Sequence, residues 1–146
     1  MENIHIQIAD FNSELQKKSV ELRYKVLREP LGLVYTAEQL EDERDEIHIV
    51  AVLNHKVAGI VVLKKADNNT LKMRQVAVDP DLQQSGIGKK MVVFSEQWAK
   101  DNHYRKIELH ARDTAKEFYL KMDYTVVGDE FTEVGIPHFK MTKAIK

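Results

Sequence analysis

Apolar and polar positions divide this chain into short strands and amphipathic helices. Residues 4–8 alternate, with Ile4, Ile6 and Ile8 on one side, which predicts a first strand. Leu15, Ser19, Leu22 and Val26 recur at helical spacing, widened by Val20 and Leu27, behind a capping pair of Ser13 and Gln16. That helix is expected over 13–28, stopping before Pro30. Thr36 and Gln39 form a second capping pair for a short helix. Residues 47–53 and 57–63 are β-branched runs joined by Asn54-His55-Lys56, a hairpin signal. Both runs are apolar at successive positions, so their sheet is expected to be covered on both sides. Gly59 inside the second run is read as a bulge marker. After a turn at Asp67-Asn68-Asn69, residues 70–78 predict another strand. Its alternation gives way to the continuously apolar Val76-Ala77-Val78, a change that suits a bulge.

Further along, Ile87, Met91, Val92, Phe94, Ser95, Trp98 and Ala99 trace a strong amphipathic helix that ends near Asp101-Asn102. Residues 106–111 predict a strand with Ile107, Leu109 and Ala111 on one face. Thr114 is expected to cap a short helix carrying Phe118, Tyr119 and Met122. Residues 125–127, 131–134 and 137–142 read as the last strands. Hairpins and crossovers are mixed in this order. The fold class is therefore α/β with α+β character, a mixed sheet of about seven strands with helices on both faces. No repeat or linker interrupts residues 1–146, which are expected to form a single domain.

Composition removes several function classes. The chain has 146 residues, 31% of them charged, and a formal net charge of −1, which argues against a nucleic-acid partner. It has no Cys, so disulfides, Cys-ligated metals and a cysteine nucleophile are excluded. Its six His are scattered without ligand spacing, so no metal is expected. No apolar run approaches the roughly 20 residues that span a bilayer, and the first residues lack a signal-peptide pattern. A cytoplasmic protein with no membrane partner is the expectation. The charge run at 41–46 reads as a solvated face, or as an acidic rim toward substrate.

The stretch Val76-Ala77-Val78-Asp79-Pro80-Asp81-Leu82-Gln83-Gln84-Ser85-Gly86-Ile87-Gly88-Lys89-Lys90 carries the chemistry. It reads as a strand end, a tight turn, a glycine loop and a helix start. Backbone N–H groups and the positive dipole end at such a start attract a phosphate-bearing ligand. A P-loop fails here, because Gln83 stands where Gly is needed and Lys90 where Ser or Thr is needed. A dinucleotide fingerprint fails too, because Met91 replaces its third glycine.

The remaining pattern, Gln83-Gln84-Ser85-Gly86-Ile87-Gly88, resembles the Q/R-x-x-G-x-G/A signature of the GNAT superfamily of N-acetyltransferases. The stretch Ala115-Lys116-Glu117-Phe118-Tyr119-Leu120-Lys121-Met122-Asp123-Tyr124 is similar to that superfamily's A-x-x-F-Y-x-K-x-G-F element. The segment at 131–141 resembles a tail of its small bacterial members. The resemblance implies acetyl-CoA as co-substrate, lying in a cleft between two splayed central strands, 71–78 and 106–111. It places pantetheine on Val76, Ala77 and Val78. Pyrophosphate falls on Gln83, Gln84, Ser85, Gly86, Ile87, Gly88 and Lys89. Lys89 and Lys90 are read either as added charge for phosphate or as solvated helix residues. Tyr119 matches the tyrosine that contacts the cofactor sulfur, as general acid or as a hydrogen-bonding and packing residue. Three departures stand out. Asp123-Tyr124 replaces Gly-Phe, Arg112 stands where many members have Asn, and the cofactor strand carries no carboxylate.

An alkylammonium acceptor with a pKa near 10.4 must lose a proton before attack, costing about 4.6 kcal/mol at pH 7 from roughly 3.4 units. His110, at the end of its strand, and Glu133, which shares the final hairpin with His138, are the candidate catalytic bases, and each also has an ordinary structural reading. Without Cys, direct attack in a ternary complex follows. The implied activity is an acetyl-CoA-dependent N-acetyltransferase acting on a small-molecule or peptide primary amine. The alternatives are a longer acyl-CoA donor or a non-catalytic CoA-binding module. A homodimer is an open option.

Overall fold

The computed structural model describes residues 4–83 and 85–146. Among the described residues eight strands, β1 (Ile4–Ala9), β2 (Ile47–Leu53), β3 (Lys56–Lys65), β4 (Thr70–Val78), β5 (Lys106–Arg112), β6 (Thr125–Val126), β7 (Phe131–Glu133) and β8 (Ile136–Ala144), follow the order β1-β2-β3-β4-β5-β8-β6, with β7 pairing β8. The sequence reading puts the sheet at about seven strands, and its segment at 125–127 is observed as the two-residue β6. The chain forms two compact units: one holds the chain up to Lys64 with Gln75–Ser95, the other Lys65–Arg74 with Glu96–Lys146.

In the first unit β1 (Ile4–Ala9) pairs antiparallel with β2 (Ile47–Leu53), which pairs antiparallel with β3 (Lys56–Lys65). Asn54 and His55 form the two-residue turn between β2 and β3 at φ 52° and 67°, both left-handed as a type I′ hairpin requires. The bulge falls one residue from Gly59: Ala51 faces Gly59 while Val52 faces Val57, so Ala58 is the extra residue. Gly59 itself answers to packing. A Cβ there would sit 2.7 Å from Met91 Cε, so glycine lets α3 (Ile87–Asp101) approach the strand. The other face carries Val50, Ile60, Val62 and Ala77 against Leu15, Val26 and Leu27. Both faces of β2 and β3 are thus covered within this unit, which explains their continuous apolar runs.

The first helix is shorter than its apolar stripe. α1 (Glu14–Arg23) gives way to a π-turn at Tyr24–Arg28 and a 3-10 turn at Glu29–Leu31 that includes Pro30. Proline fits there because it stands at the start of a fresh turn, where no N–H is required. Ser13 caps α1 by accepting from the Gln16 N–H, while Gln16 reaches back to Asn12 rather than to the cap residue. At α2 (Ala37–Glu41) the capping box with Thr36 and Gln39 is complete.

In the second unit the start of β4 (Thr70–Val78) pairs parallel with β5 (Lys106–Arg112), from Thr70–Lys106 to Met73–Leu109. β8 (Ile136–Ala144) runs antiparallel along β5, and β6 (Thr125–Val126) and β7 (Phe131–Glu133) pair with β8. Ile107, Leu109 and Ala111 are buried on one face, as their alternation predicts. Thr114 does not cap α4 (Lys116–Leu120). Ala115 holds the cap position without a side-chain bond, and Asp113 accepts from the Thr114 N–H to shape the preceding 3-10 turn. Asp123 sits at φ 71° where the related element carries Gly, so the left-handed turn survives with aspartate in it. Tyr124 is buried and donates to Glu96 at 2.9 Å, and Lys143 reaches the same carboxylate at 3.0 Å.

Candidate functional site

In the first unit β4 contains a left-handed residue, Gln75 at φ 54°, immediately before Val76, Ala77 and Val78. This left-handed residue stands where the alternation breaks in the sequence. Ala77 is buried with the core, whereas Val76 and Val78 are half-buried. A 3-10 turn, Pro80–Leu82, follows, with Asp79 accepting from the Asp81 N–H. Gln83 is exposed and its side chain donates to the Val78 carbonyl at 3.2 Å. Gln84 lies outside the described residues. Ser85 turns its hydroxyl onto the Leu82 carbonyl at 2.6 Å. Gly86 takes φ 86°, with open space where a side chain would stand. Ile87 is fully buried and anchors the helix start, while Lys89 and Lys90 are exposed. Lys90 N–H bonds the Gly86 carbonyl at 3.1 Å, so the amides of Ile87, Gly88 and Lys89 precede the helical ladder. The 15-residue α3 directs its positive dipole end at this loop.

The second unit brings His110 and Glu133 together. Period-two geometry puts His110 and Arg112 of β5, His138 and Lys140 of β8, and Phe131 and Glu133 of β7 on one face. His110 Nδ1 lies 2.9 Å from Glu133 Oε1. An ionised carboxylate only accepts, so Nδ1 carries the hydrogen. His138 Nδ1 donates to the Ile136 carbonyl at 2.8 Å, and its Nε2 lies 3.6 Å from the other Glu133 oxygen. The His110 ring meets Phe131 edge-on at 5.0 Å. Burial lifts the Glu133 carboxyl. The hydrogen bond and charge of His110, then the charges of His138 and Lys72, outweigh it and hold the group below its ordinary value.

Tyr119 is buried in α4, edge-on to Phe118 at 5.0 Å and to Tyr124 at 5.6 Å. Burial pushes its phenol well above the usual value, so it keeps its proton. Of the charge run at 41–46, Glu43 is neither solvated nor a rim residue. It is buried and pairs with the equally buried Arg23, while Arg44 pairs with Glu41 at the surface. Sequence reasoning missed Arg23, Glu43 and Tyr35, because no local period marks a buried charge pair. Among the described residues no group of three His, Asp or Glu is arranged to hold a metal ion, and no helix is long and apolar enough to cross a membrane.

A family model described as "Acetyltransferase (GNAT) domain" matches residues 16–145. The chain belongs to the GNAT acetyltransferase family. The chain is 29% identical over 122 residues to the uncharacterized Bacillus subtilis protein YyaT, covering 77% of this chain and 82% of that one. A solved Lactobacillus plantarum structure shares the acetyltransferase's fold with TM-score 0.88 at 21% identity, over 98% of this chain and 99% of that one. An aminoglycoside 6'-N-acetyltransferase in complex with coenzyme A shares it with TM-score 0.82 at 17% identity, over 97% of each chain.

Proposed function

We propose that this protein is an acetyl-CoA-dependent N-acetyltransferase that acetylates a primary amine of a small molecule or peptide by direct attack in a ternary complex. The run from Gln75 to Lys89 carries the reading: a left-handed strand residue, a tight turn, a glycine at φ 86° and a long helix start, in a chain of this family. The coenzyme A in a solved relative supports a CoA donor. In this reading Val76, Ala77 and Val78 pair pantetheine, and residues 83–89 hold pyrophosphate on backbone amides.

His110 is the general base. Its Nδ1–H is committed to Glu133, and the Nε2 lone pair takes the proton from the acceptor ammonium. The amine nitrogen then bonds the thioester carbon, the carbon–sulfur bond breaks with its electron pair on sulfur, and the second nitrogen proton passes to the leaving thiolate, giving the amide and the free CoA thiol. Tyr119 donates a hydrogen bond to the departing sulfur. Its ordinary pKa near 10 already exceeds a thiol's of about 8.5, and burial widens that gap, so hydrogen bonding rather than full transfer is favoured. The family match runs across both compact units, which supports reading 1–146 as one domain. A cytoplasmic location fits a CoA-dependent reaction.

A panel of primary amines with acetyl-CoA and thiol-release detection tests the proposal. Thiol release that requires an amine, with an N-acetyl product by mass spectrometry, is expected. Tight acetyl-CoA binding without turnover on any amine would assign a CoA-binding module instead.

A further inference from the structure

We infer that Tyr35, on the segment between the first two helices, is a positioning residue that holds Gln75 in its left-handed conformation and so sets the donor strand. The inference rests on the donor assignment of Val76, Ala77 and Val78 above. Three observations within the first unit carry it.

Gln75 is the only described non-glycine residue in the interior of β4 with a left-handed backbone, at φ 54°. A side-chain-bearing residue occupies that region at a cost and persists where surrounding groups hold it. The Tyr35 hydroxyl donates to the Gln75 side-chain oxygen at 2.5 Å, tying the strained residue to a segment 40 positions away.

The Tyr35 ring is itself fixed. The guanidiniums of Arg23 and Arg28 each lie over it, 4.7 Å from its centroid. Arg23 is buried and anchored by its ion pair with Glu43. The Glu43 carbonyl accepts in turn from His48 of β2 at 2.9 Å.

The π-turn explains how two arginines reach one ring. Arg23 and Arg28 stand five apart, and on an α-helix five residues advance about 140° past a full turn. The Glu29 N–H bonds the Tyr24 carbonyl instead, and this wider turn swings Arg28 back toward Arg23. The irregularity in the helix and the left-handed residue in the strand thus meet in one contact chain, Glu43–Arg23–Tyr35–Gln75.

The test is a cycle of Tyr35→Phe, Gln75→Gly and the double variant, read by acetyl-CoA affinity and by hydrogen exchange of the amides at 76–78. Tyr35→Phe is expected to weaken acetyl-CoA binding about tenfold. It should also speed exchange at 76–78, with the acceptor KM changing far less. Gly occupies the left-handed region without strain, so Gln75→Gly in the Tyr35→Phe background should restore affinity to within about twofold. A structural role alone would lower the melting temperature without that rescue. Unchanged affinity and exchange in Tyr35→Phe, while Gly88→Glu abolishes acetyl-CoA binding, overturns the inference and leaves the donor site standing. Unchanged affinity in folded Gly88→Glu as well removes the donor assignment itself.

Discussion

Glu133 lies 2.9 Å from His110 Nδ1 and, as an acceptor, commits that nitrogen as a donor. The pairing motivates the proposal of His110 as the base, since the strand at 71–78 carries no carboxylate. His110→Ala is expected to lower kcat about 10²-fold or more, with acetyl-CoA affinity little changed. Glu133→Gln keeps the side-chain shape but frees the tautomer, so a smaller loss is expected. Steady-state kinetics beside calorimetric acetyl-CoA binding separates the two. Equal loss of both parameters in His110→Ala would assign His110 to binding.

The same carboxylate sets a pH dependence of stability. His110, His138 and Lys72 outweigh the effect of burial and hold Glu133 below its ordinary 4.5. A depressed folded pKa contributes stability above the unfolded value, and that contribution disappears as pH falls through the folded value. The melting-temperature gap between wild type and Glu133→Gln should therefore be open near neutral pH and close below about 4.5. A gap that widens in acid would contradict the sign.

Tyr119 keeps its proton because burial raises its phenol. Tyr119→Phe is expected to lower kcat about tenfold or more while acetyl-CoA affinity holds within about threefold. The basic limb of the wild-type pH profile should persist in the variant, since the phenol does not titrate in the working range.

Arg23 and Glu43 are both buried as a pair, so removing one partner strands the other charge. Arg23→Met is expected to destabilise the fold by about 3–5 kcal/mol in denaturant titration. Arg44→Met breaks only a surface contact with Glu41 and should cost about 1 kcal/mol or less.

Val134 and Gly135 form the β7–β8 turn at φ 48° and 75°. A β-branched residue is poorly suited to φ above zero, and Val134 is exposed. Val134→Asn supplies the favoured Asn-Gly turn pair and should stabilise the protein by about 1 kcal/mol, read as a higher melting temperature with Glu133 undisturbed.

Most of the fold was legible because its signals are local. The alternation in β5, the paired β-branched runs and the stripe on α3 each report a face turned toward a core. The capping box at Thr36 and the turn at Asn54-His55 report backbone needs that only a few residue types meet. The elements misjudged were those without such a signal. Pro30 lies inside a 3-10 turn because a second helical segment begins there, and the capping of α4 passed from Thr114 to a turn shaped by Asp113.

Residue type and order alone determined that a glycine loop opens a long helix after a broken strand, and that no cysteine chemistry is available. Backbone propensity and periodicity act over a few residues, so the chain writes them down directly. The tertiary structure decided which charges meet. Glu43 left its charged neighbours for Arg23 because burying one charge requires a partner brought from elsewhere in the chain. Glu133 found His110 because β8 pairs with both β5 and β7, a register set by long-range hydrogen bonding. Gln75 accepts a hydrogen bond from Tyr35, 40 positions away, a contact that no local pattern encodes.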